Sequence, residues 1–213
     1  MTIPIFAIYV LLIVGSYLLG SFPSGYLVGR LNGIDIRQFG SRKTGGTNVL
    51  RTLGWGAMIV VATADAVKGF AAVVLAQQVT ASPLIVTLCG LGAIAGHNWP
   101  LYIKFKGGSG VATGFGVLLG VAPAVAGILL VLFLVPIVLT RYMSLGSIIA
   151  AAAAPVVILI LTWTGQLPME YAAFGIVGAA LVLWRHRGNM QRLLNGTERK
   201  VGERVDIGRQ KQQ

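Results

Sequence analysis

The feature that most constrains this 213-residue chain is its series of apolar runs, several of which approach or exceed 20 residues. A helix of ~20 apolar residues spans the ~30 Å hydrocarbon layer of a bilayer, where the backbone must satisfy its own hydrogen bonds. Hydrophobic residues make up 55% of the chain and charged residues only 11%, which is more apolar sequence than a soluble core absorbs. The sequence therefore predicts an all-α membrane protein and excludes a soluble enzyme, a coiled coil and a disordered chain.

The first apolar run, residues 4–31, is predicted to be a membrane span. It lacks a basic n-region and a small-residue cleavage site, and it is interrupted by polar residues and turn formers, unlike a removable signal peptide. We expect one integral membrane domain over residues 1–213, in which residues 186–213 form a basic cytoplasmic C-terminal tail.

Positive charge is concentrated in a few places, with 17 Lys and Arg against 6 Asp and Glu and a formal net charge of +11. Because no aromatic-interleaved basic patch accompanies this charge, we predict no nucleic-acid partner, and anionic lipid headgroups or phosphorylated substrates fit better. The positive-inside rule places the clusters of cations in the cytoplasm and the N-terminus outside. Apart from Lys68, the cations form four clusters: Arg30, Arg37, Arg42, Lys43 and Arg51; Lys104 and Lys106; Arg141; and Arg185, Arg187, Arg192, Arg199, Lys200, Arg204, Arg209 and Lys211.

The parity of the membrane crossings predicts the number of helices. Residues 111–139 would form a straight helix ~43 Å long, and a single crossing there would put Arg141 on the wrong side. We therefore predict that the chain turns back at Pro123, which follows Gly120. The prediction is seven transmembrane helices, two of them short, at residues 4–31, 55–77, 83–98, 111–121, 123–139, 144–164 and 168–184.

In this topology the polar segments all lie on the cytoplasmic side. A transporter would instead place its polar site near the bilayer midplane, so the pattern favours a catalyst or a binding protein at the interface. The polar segments are GSFPSGY, GSRKTGGTNVLR, GHNWPLYIKFKGGSGVAT, TRYMS and RHRGNMQRLLNGTERK.

Two glycine-rich segments have the composition of phosphate-binding loops. Residues 40–51 combine three glycines with hydroxyls, an amide and Arg51, and residues 107–110 lead into a helix beside Lys104 and Lys106. Glycines let backbone N–H groups wrap an anion, and arginine supplies a two-toothed clamp. The first segment is no P-loop, because GxxxxGK[ST] is absent, and a flexible connection remains the alternative.

Residue patterns that the sequence lacks argue against several catalytic mechanisms. The six carboxylates are scattered along the chain, which predicts a mechanism without a metal ion or a cofactor. Neither His97 nor His186 is followed by aspartate at the fifth position, so the His–Asp pair of the acyl-CoA-dependent glycerol-phosphate acyltransferases is missing. Cys89 lies within an apolar run, which argues against a thiol nucleophile.

Each of the candidate polar residues below could instead have a purely structural role. His97 could cap helix carbonyls at the interface, and His186 could be an ordinary interfacial residue. Asp65 and Lys68 are three residues apart on one helical face, where they can neutralise each other, with a direct role in substrate binding as the other possibility.

Together these segments resemble the bacterial acyl-phosphate:glycerol-3-phosphate acyltransferase family, over residues 20–200. The resemblance rests on the order and number of its motifs. They are GSFPSGY, GS followed by TGGTNVLR, the Asp65-x-x-Lys68-Gly69 pair, GHNWP followed by FKGGSGVAT, TRYMSL, and RHRGNMQRLLNGTERK. The family is known for seven membrane helices with an external N-terminus.

The resemblance implies a single cytoplasmic pocket that several motifs share. The implied catalytic residues are Ser41, His186 and Asn189. The implied substrate-binding residues are Thr47, Asn48, Arg51, His97, Gly107, Gly108, Ser109, Gly110 and Glu198.

The chain departs from the family pattern in both glycine-rich segments. The family usually has lysine where this chain has Ser109, and neutral residues where it has Arg42 and Lys43. We therefore hypothesise that positive charge has moved from the second loop to the first, which adds Lys43 to the substrate-binding residues.

The function implied by the resemblance is transfer of a fatty acyl group from acyl phosphate to the 1-hydroxyl of glycerol-3-phosphate, giving lysophosphatidic acid and inorganic phosphate. It implies a multi-pass protein of the bacterial cytoplasmic (inner) membrane that contacts membrane lipid, with the enzyme supplying acyl phosphate as a candidate partner. The alternatives are a membrane transporter of phosphorylated small molecules and a weakly active paralogue of the acyltransferase.

Overall fold

The computed structural model describes residues 4–205 and residue 207, and all regular secondary structure in this part of the chain is helical. Two short 3-10 helices, Ile36–Gln38 and Leu101–Ile103, lie in connecting segments. The α-helices are α1 Ile5–Gly20, α2 Ser24–Leu31, α3 Gly46–Leu53, α4 Trp55–Val79, α5 Pro83–Asn98, α6 Val111–Val121, α7 Pro123–Thr140, α8 Met143–Trp163, α9 Glu170–Arg185 and α10 Arg187–Leu194.

Five helical stretches of the described chain are long and apolar enough to cross a membrane. The first joins α1 and α2 across Pro23, and α6 and α9 are shorter, with 11 and 16 residues. A helix is therefore present at each of the seven predicted segments, while the count of seven crossings stays a prediction. The five stretches are Ile5–Leu31, Trp55–Val79, Pro83–Ile103, Pro123–Thr140 and Met143–Trp163.

The predicted break near Pro123 is present. Helix α6 ends at Val121, Ala122 leaves the helical conformation with φ −154° and ψ 71°, and α7 begins at Pro123. Proline has no N–H to donate and its φ suits the first turn of a helix, so it starts α7 but cannot continue α6.

The helices α4 and α6 pack closely because small residues line their contact. A Cβ atom on Gly69 would collide with the carbonyl of Thr113, and one on Gly116 would collide with the carbonyl of Ala66. Small residues of this kind let the backbones of membrane helices approach each other. The outward surfaces of the bundle are apolar instead, with Leu139 and Trp163 among the most exposed side chains.

A small apolar cluster lies beneath the connecting segments. It packs Ile36 and Phe39 against Val49 of α3, Val61 of α4 and Val205 near the chain end. This cluster holds residues 34–53 and the last described residues against one end of α4, which is where the candidate site residues gather.

Two polar segments that the sequence did not predict to be helical contain short helices. Residues 46–53 form helix α3, and residues 187–194 form helix α10 within the segment that we expected to be a tail. The chain after α10 returns to the bundle, because the Val201 N–H donates to the Arg141 carbonyl at 2.7 Å and the Val205 N–H donates to the Arg51 carbonyl at 2.9 Å. The apolar residues Val49 and Val205 account for this folding, since each gains a buried position.

Candidate active site

Asn48 shapes the first glycine-rich segment. Its amide nitrogen lies 3.1 Å from the carbonyls of Ile36 and Phe39 and 2.9 Å from that of Lys43, and its oxygen accepts from the Ser41 N–H at 2.9 Å. Because this buried amide bonds only to backbone groups, the structure gives it a role in holding the loop. A direct contact between Asn48 and substrate stays a prediction.

Glu198 is the centre of the largest polar cluster. One carboxylate oxygen accepts from Arg51 Nη2 at 3.0 Å, Asn189 Nδ2 at 3.0 Å and Ser144 Oγ at 3.1 Å, and the other accepts from Arg192 Nε at 2.7 Å. Burial alone would raise the pKa of this carboxyl, but the hydrogen bonds from Arg51, Asn189 and Arg192 outweigh it and hold the pKa below its ordinary value. Glu198 is therefore ionised at neutral pH.

Arg51 is buried and only partly engaged. Its Nη2 donates to Glu198 and to the carbonyl of Arg199, at 3.0 and 3.1 Å. Within the described part of the chain, its Nε and Nη1 make no hydrogen bond. Beside it, a cavity of about 190 Å³ is lined by Thr47, Lys200 and Arg204 among others. The predicted phosphate clamp thus retains free donors next to a cavity.

The second glycine-rich loop lies directly on His97. The N–H of Gly108 donates to the His97 carbonyl at 3.1 Å, and a Cβ on Gly108 would collide with the imidazole Nε2. Arg185 fixes the loop from the other side, donating to the carbonyls of Gly107 at 2.9 Å and Gly108 at 2.8 Å. Glycine is therefore required at 107 and 108 for close packing.

The loop keeps unpaired N–H groups next to the start of α6. Gly110, with φ +83°, occupies the cap position of that helix. Among the described residues, none accepts a hydrogen bond from the N–H of Ser109 or Gly110. Free N–H groups at the start of a helix are donors of the kind that bind anions, and Arg185 fixes the neighbouring carbonyls of Gly107 and Gly108.

His97 belongs to a buried ionic cluster that sequence reasoning missed. Its Nδ1 is 3.4 Å from Oδ1 of Asp65, which also accepts from Ser24 Oγ at 2.6 Å and lies 2.8 Å from Lys68 Nζ. The predicted pairing of Asp65 with Lys68 is confirmed. A His–Asp pair does exist, but it joins two helices and has no signature in the local sequence.

His186 and Lys43 lie where the two loops meet. His186 is buried, with Nδ1 2.8 Å from the Val182 carbonyl, and burial lowers its pKa to about 4. Lys43 Nζ donates to the carbonyl of Arg185, and burial together with the charge of Arg185 lowers the pKa of Lys43 to about 8. Lys43 thus connects, through Arg185, to the loop that carries Ser109.

The two glycine-rich segments touch each other. A Cβ on Gly45 would lie 3.8 Å from Cα of Gly108 and 3.9 Å from N of Ser109. Ser41 and Ser109 are half-buried. The structure therefore brings the predicted residues into one region around two centres, the Glu198 cluster and the loop beside His97.

Three residues of these centres were not among the predicted site residues. Arg185 stands next to His186 in the sequence, and its position at the end of a predicted helix could have identified it. Ser144 follows the polar TRYM segment, and Arg192 lies six residues before Glu198. Within the described residues, no three His, Cys, Asp or Glu side chains are grouped as a metal site would require.

The family model for glycerol-3-phosphate acyltransferases matches residues 10–196. The chain belongs to the glycerol-3-phosphate acyltransferase family. A glycerol-3-phosphate acyltransferase of Synechococcus sp. (strain CC9902) is 49% identical over 195 residues, which cover 91% of this chain and 96% of the relative. The family member of Gloeobacter violaceus is 47% identical over 193 residues, covering 88% of this chain and 92% of its own.

Crystal structures of PlsY, an integral membrane member of the acyltransferase family, show the same fold. The glycerol 3-phosphate form superposes with a TM-score of 0.85 at 37% identity, covering 91% of this chain and 96% of PlsY. The lysophosphatidic acid form gives a TM-score of 0.82 at the same identity, covering 92% and 96%. The prediction of an all-α multi-pass membrane protein of this family is confirmed.

Proposed function

We propose that this protein transfers an acyl group from acyl phosphate to the 1-hydroxyl of glycerol-3-phosphate, releasing lysophosphatidic acid and inorganic phosphate. The observation that carries the proposal is the meeting of the two glycine-rich loops near the Arg51–Glu198 cluster. Family membership and the PlsY forms with glycerol 3-phosphate and lysophosphatidic acid support the same acceptor and product. The acyl-phosphate donor rests on the resemblance of the motifs.

In the proposed reaction the enzyme mainly positions two anionic substrates. The Ser109 and Gly110 N–H groups, with Lys43 beside them, hold one phosphate, and the free donors of Arg51 bind the other. The hydroxyl oxygen forms a bond to the acyl carbon, and the bond from that carbon to the phosphate oxygen breaks. An acyl phosphate is a mixed anhydride with a good leaving group, so orientation and charge stabilisation supply the catalysis.

The hydroxyl proton has two possible acceptors, and the structure favours the departing phosphate. His186 Nδ1 faces the Val182 carbonyl, which can only accept, so the neutral ring holds its proton there and leaves Nε2 as an acceptor. With a pKa of about 4, His186 is neutral at pH 7 but is a weak base. A phosphate oxygen, with a second pKa near 6, is the better base. We assign His186 to orienting the hydroxyl.

We also propose the membrane arrangement that the charges predict. The chain is one integral domain that crosses the bacterial cytoplasmic membrane seven times, with its N-terminus outside and both loops in the cytoplasm. The donor then enters with its acyl chain among the helices and its phosphate at the cytoplasmic interface. Support comes from the break at Pro123 and from the helix at every predicted segment.

The rival functions are tested by one assay. Purified protein in detergent receives palmitoyl phosphate with or without glycerol-3-phosphate, and the release of phosphate and the formation of lysophosphatidic acid are followed. We expect release that depends on glycerol-3-phosphate, with one lysophosphatidic acid formed per phosphate. Absence of that dependence across several detergents would contradict the enzyme and favour a transporter or a weakly active paralogue. An Asn189→Ala variant, which removes a Glu198 donor, is the matched inactive control.

A further inference from the structure

A second cavity lies beside the active site, and six of its lining residues are cations while only one is a carboxylate. It is an open groove of about 990 Å³ between the segment that contains Asp35 and the segment from Tyr102 to Gly107. Its one carboxylate, Asp35, is already neutralised by Arg37 at 2.7 Å. The cations that line it are Arg37, Arg42, Lys43, Lys104, Lys106 and Arg185.

Three of these cations have no protein partner for their charge. Arg42, Lys104 and Lys106 are exposed, and in the described part of the chain none of their side chains forms an ion pair or a hydrogen bond. A cluster of unneutralised like charges repels itself and destabilises the fold. An anionic ligand in the groove would remove that repulsion.

The backbone of the groove is held in an unfavourable conformation. Arg42, Lys104 and Phe105 have φ of 59°, 57° and 60°, the left-handed region that residues with a Cβ rarely adopt. Backbone hydrogen bonds impose it, since the N–H groups of Arg42 and Phe105 donate to the carbonyls of Phe39 and Pro100, both at 2.9 Å. Strain of this kind clusters at ligand-binding sites. All three strained residues line this groove.

The rim of the groove suits a membrane surface. Tyr102, which is 58% exposed, is the penultimate residue of the apolar stretch Pro83–Ile103, and Phe105, which is 53% exposed, lies two residues beyond that stretch. The amphipathic ring of a tyrosine at the end of a span typically lies at headgroup level, which suits Tyr102. Four to eight cations next to a membrane helix are typical of sites for anionic lipid.

We propose that this groove binds the phosphate headgroup of an anionic phospholipid from the adjacent leaflet, which is the cytoplasmic leaflet in the proposed topology. The size and openness of the groove suit a diacyl lipid whose chains remain in the bilayer beside Phe105. Its lining shares Lys43, Gly107 and Arg185 with the active site but includes neither Glu198 nor Asn189. The bound lipid is therefore a neighbour of the reacting groups and not a substrate.

The test is a binding experiment without turnover. Wild-type protein in micelles with equal phosphatidylglycerol and phosphatidylcholine of the same chain length is compared with the Lys104→Asn/Lys106→Gln variant by native mass spectrometry. Asparagine is chosen at 104 because it tolerates positive φ. Removing two interfacial lysines should weaken phosphatidylglycerol retention roughly twenty-five-fold, about fivefold for each. The control is Arg187→Gln/Lys200→Gln, two exposed cations outside the groove.

Several results would overturn the proposal. The proposal is wrong if the wild type retains phosphatidylglycerol no better than phosphatidylcholine. It is also wrong if the groove variant and the control variant lose phosphatidylglycerol retention to the same extent. Displacement of phosphatidylglycerol by hexadecyl phosphonate would identify the groove as the donor site, and displacement by inorganic phosphate alone would identify a free-phosphate site. If the double variant does not fold, Lys106→Gln, at a position with ordinary φ, and the charge-preserving Lys104→Arg/Lys106→Arg variant provide the same comparison. Because no acyl transfer is measured, the outcome does not depend on the proposed reaction.

Discussion

Arg51 has two roles that depend on the same guanidinium group. The guanidinium neutralises Glu198, and its free donors lie beside a cavity. A planar guanidinium can hold a carboxylate on one edge and a phosphate on another, whereas an ammonium acts as a point charge. The side chain is therefore poorly replaceable even by another cation.

We predict that Arg51→Lys lowers kcat/KM about ten- to a hundred-fold, the worth of a charge-assisted hydrogen bond of about 1.5–3 kcal/mol. The measurement is steady-state phosphate release in detergent. Arg209→Lys, at a position outside the described residues, is the control for a cation of the C-terminal segment. Equal kcat/KM for the two variants would remove Arg51 from the site.

Lys43 should give the reaction a pH dependence. Its pKa of about 8 in the folded protein means that its positive charge is lost as pH rises past 8. If the charge binds a phosphate, kcat/KM falls above pH 8, and Lys43→Arg moves this fall to higher pH because arginine stays protonated. A pH profile of kcat/KM from 6 to 10 makes the comparison. Coincident profiles of wild type and Lys43→Arg would show that another group titrates.

The same lysine should be coupled to Ser109. Lys43→Asn alone is expected to weaken substrate use, and Ser109→Lys in that background should restore much of it, because the two loops touch and share Arg185. The coupling free energy in a double-mutant cycle of kcat/KM tests this. Additive effects would mean that the loops act separately, and the serine would then account for altered substrate use.

The helices were predictable where hydrophobicity and charge act together, and less so where the chain is polar. Pro123 and the flanking apolar runs located α6 and α7, because proline ends one helix and begins the next. Helix α3 was missed because its first residues, Gly46, Thr47 and Asn48, are typical of loops, while its burial depends on contacts that include the distant Val205.

The sequence predicted which residues belong to the site but not how those residues contact one another. Motif resemblance selected Arg51, Asn189 and Glu198, yet the role of Glu198 as an acceptor for four side chains arises from residues as much as 147 positions apart. The pairing of His97 with Asp65 likewise depends on how α4 packs beside α5. Such contacts have no local pattern from which to infer them.

Helices α6, α7 and α8, as three successive crossings with a reversal at Pro123, should place the second loop and the α8–α9 connection on opposite sides of the membrane. In a Cys89→Ala background, Ser109→Cys should react with a membrane-impermeant thiol reagent only from the cytoplasmic side, and Gln166→Cys only from outside. Labelling of intact spheroplasts against inverted vesicles measures this. Reaction of both cysteines from one side would refute a reversal at Pro123.

The complete site requires the last described part of the chain, because Glu198 and Val205 join it to α3 through Arg51. A chain terminated after Leu194 loses Glu198, the carboxylate partner of Arg51, and residues 199–204, which line the cavity beside Arg51. We predict loss of activity and a lowered melting temperature in detergent. A chain terminated after Ile207 should retain both properties. Retained activity after truncation at Leu194 would contradict the role of Glu198.

The return of the chain end to Arg51 also concerns biosynthesis. A ribosome delivers the apolar helices to the membrane first and Glu198 last, so the bundle can be inserted in full while its reaction centre is still unfinished. We therefore expect a nascent or prematurely released polypeptide that lacks Glu198 to be inactive. On this view catalysis should begin only after translation has passed the residues that pack against α3.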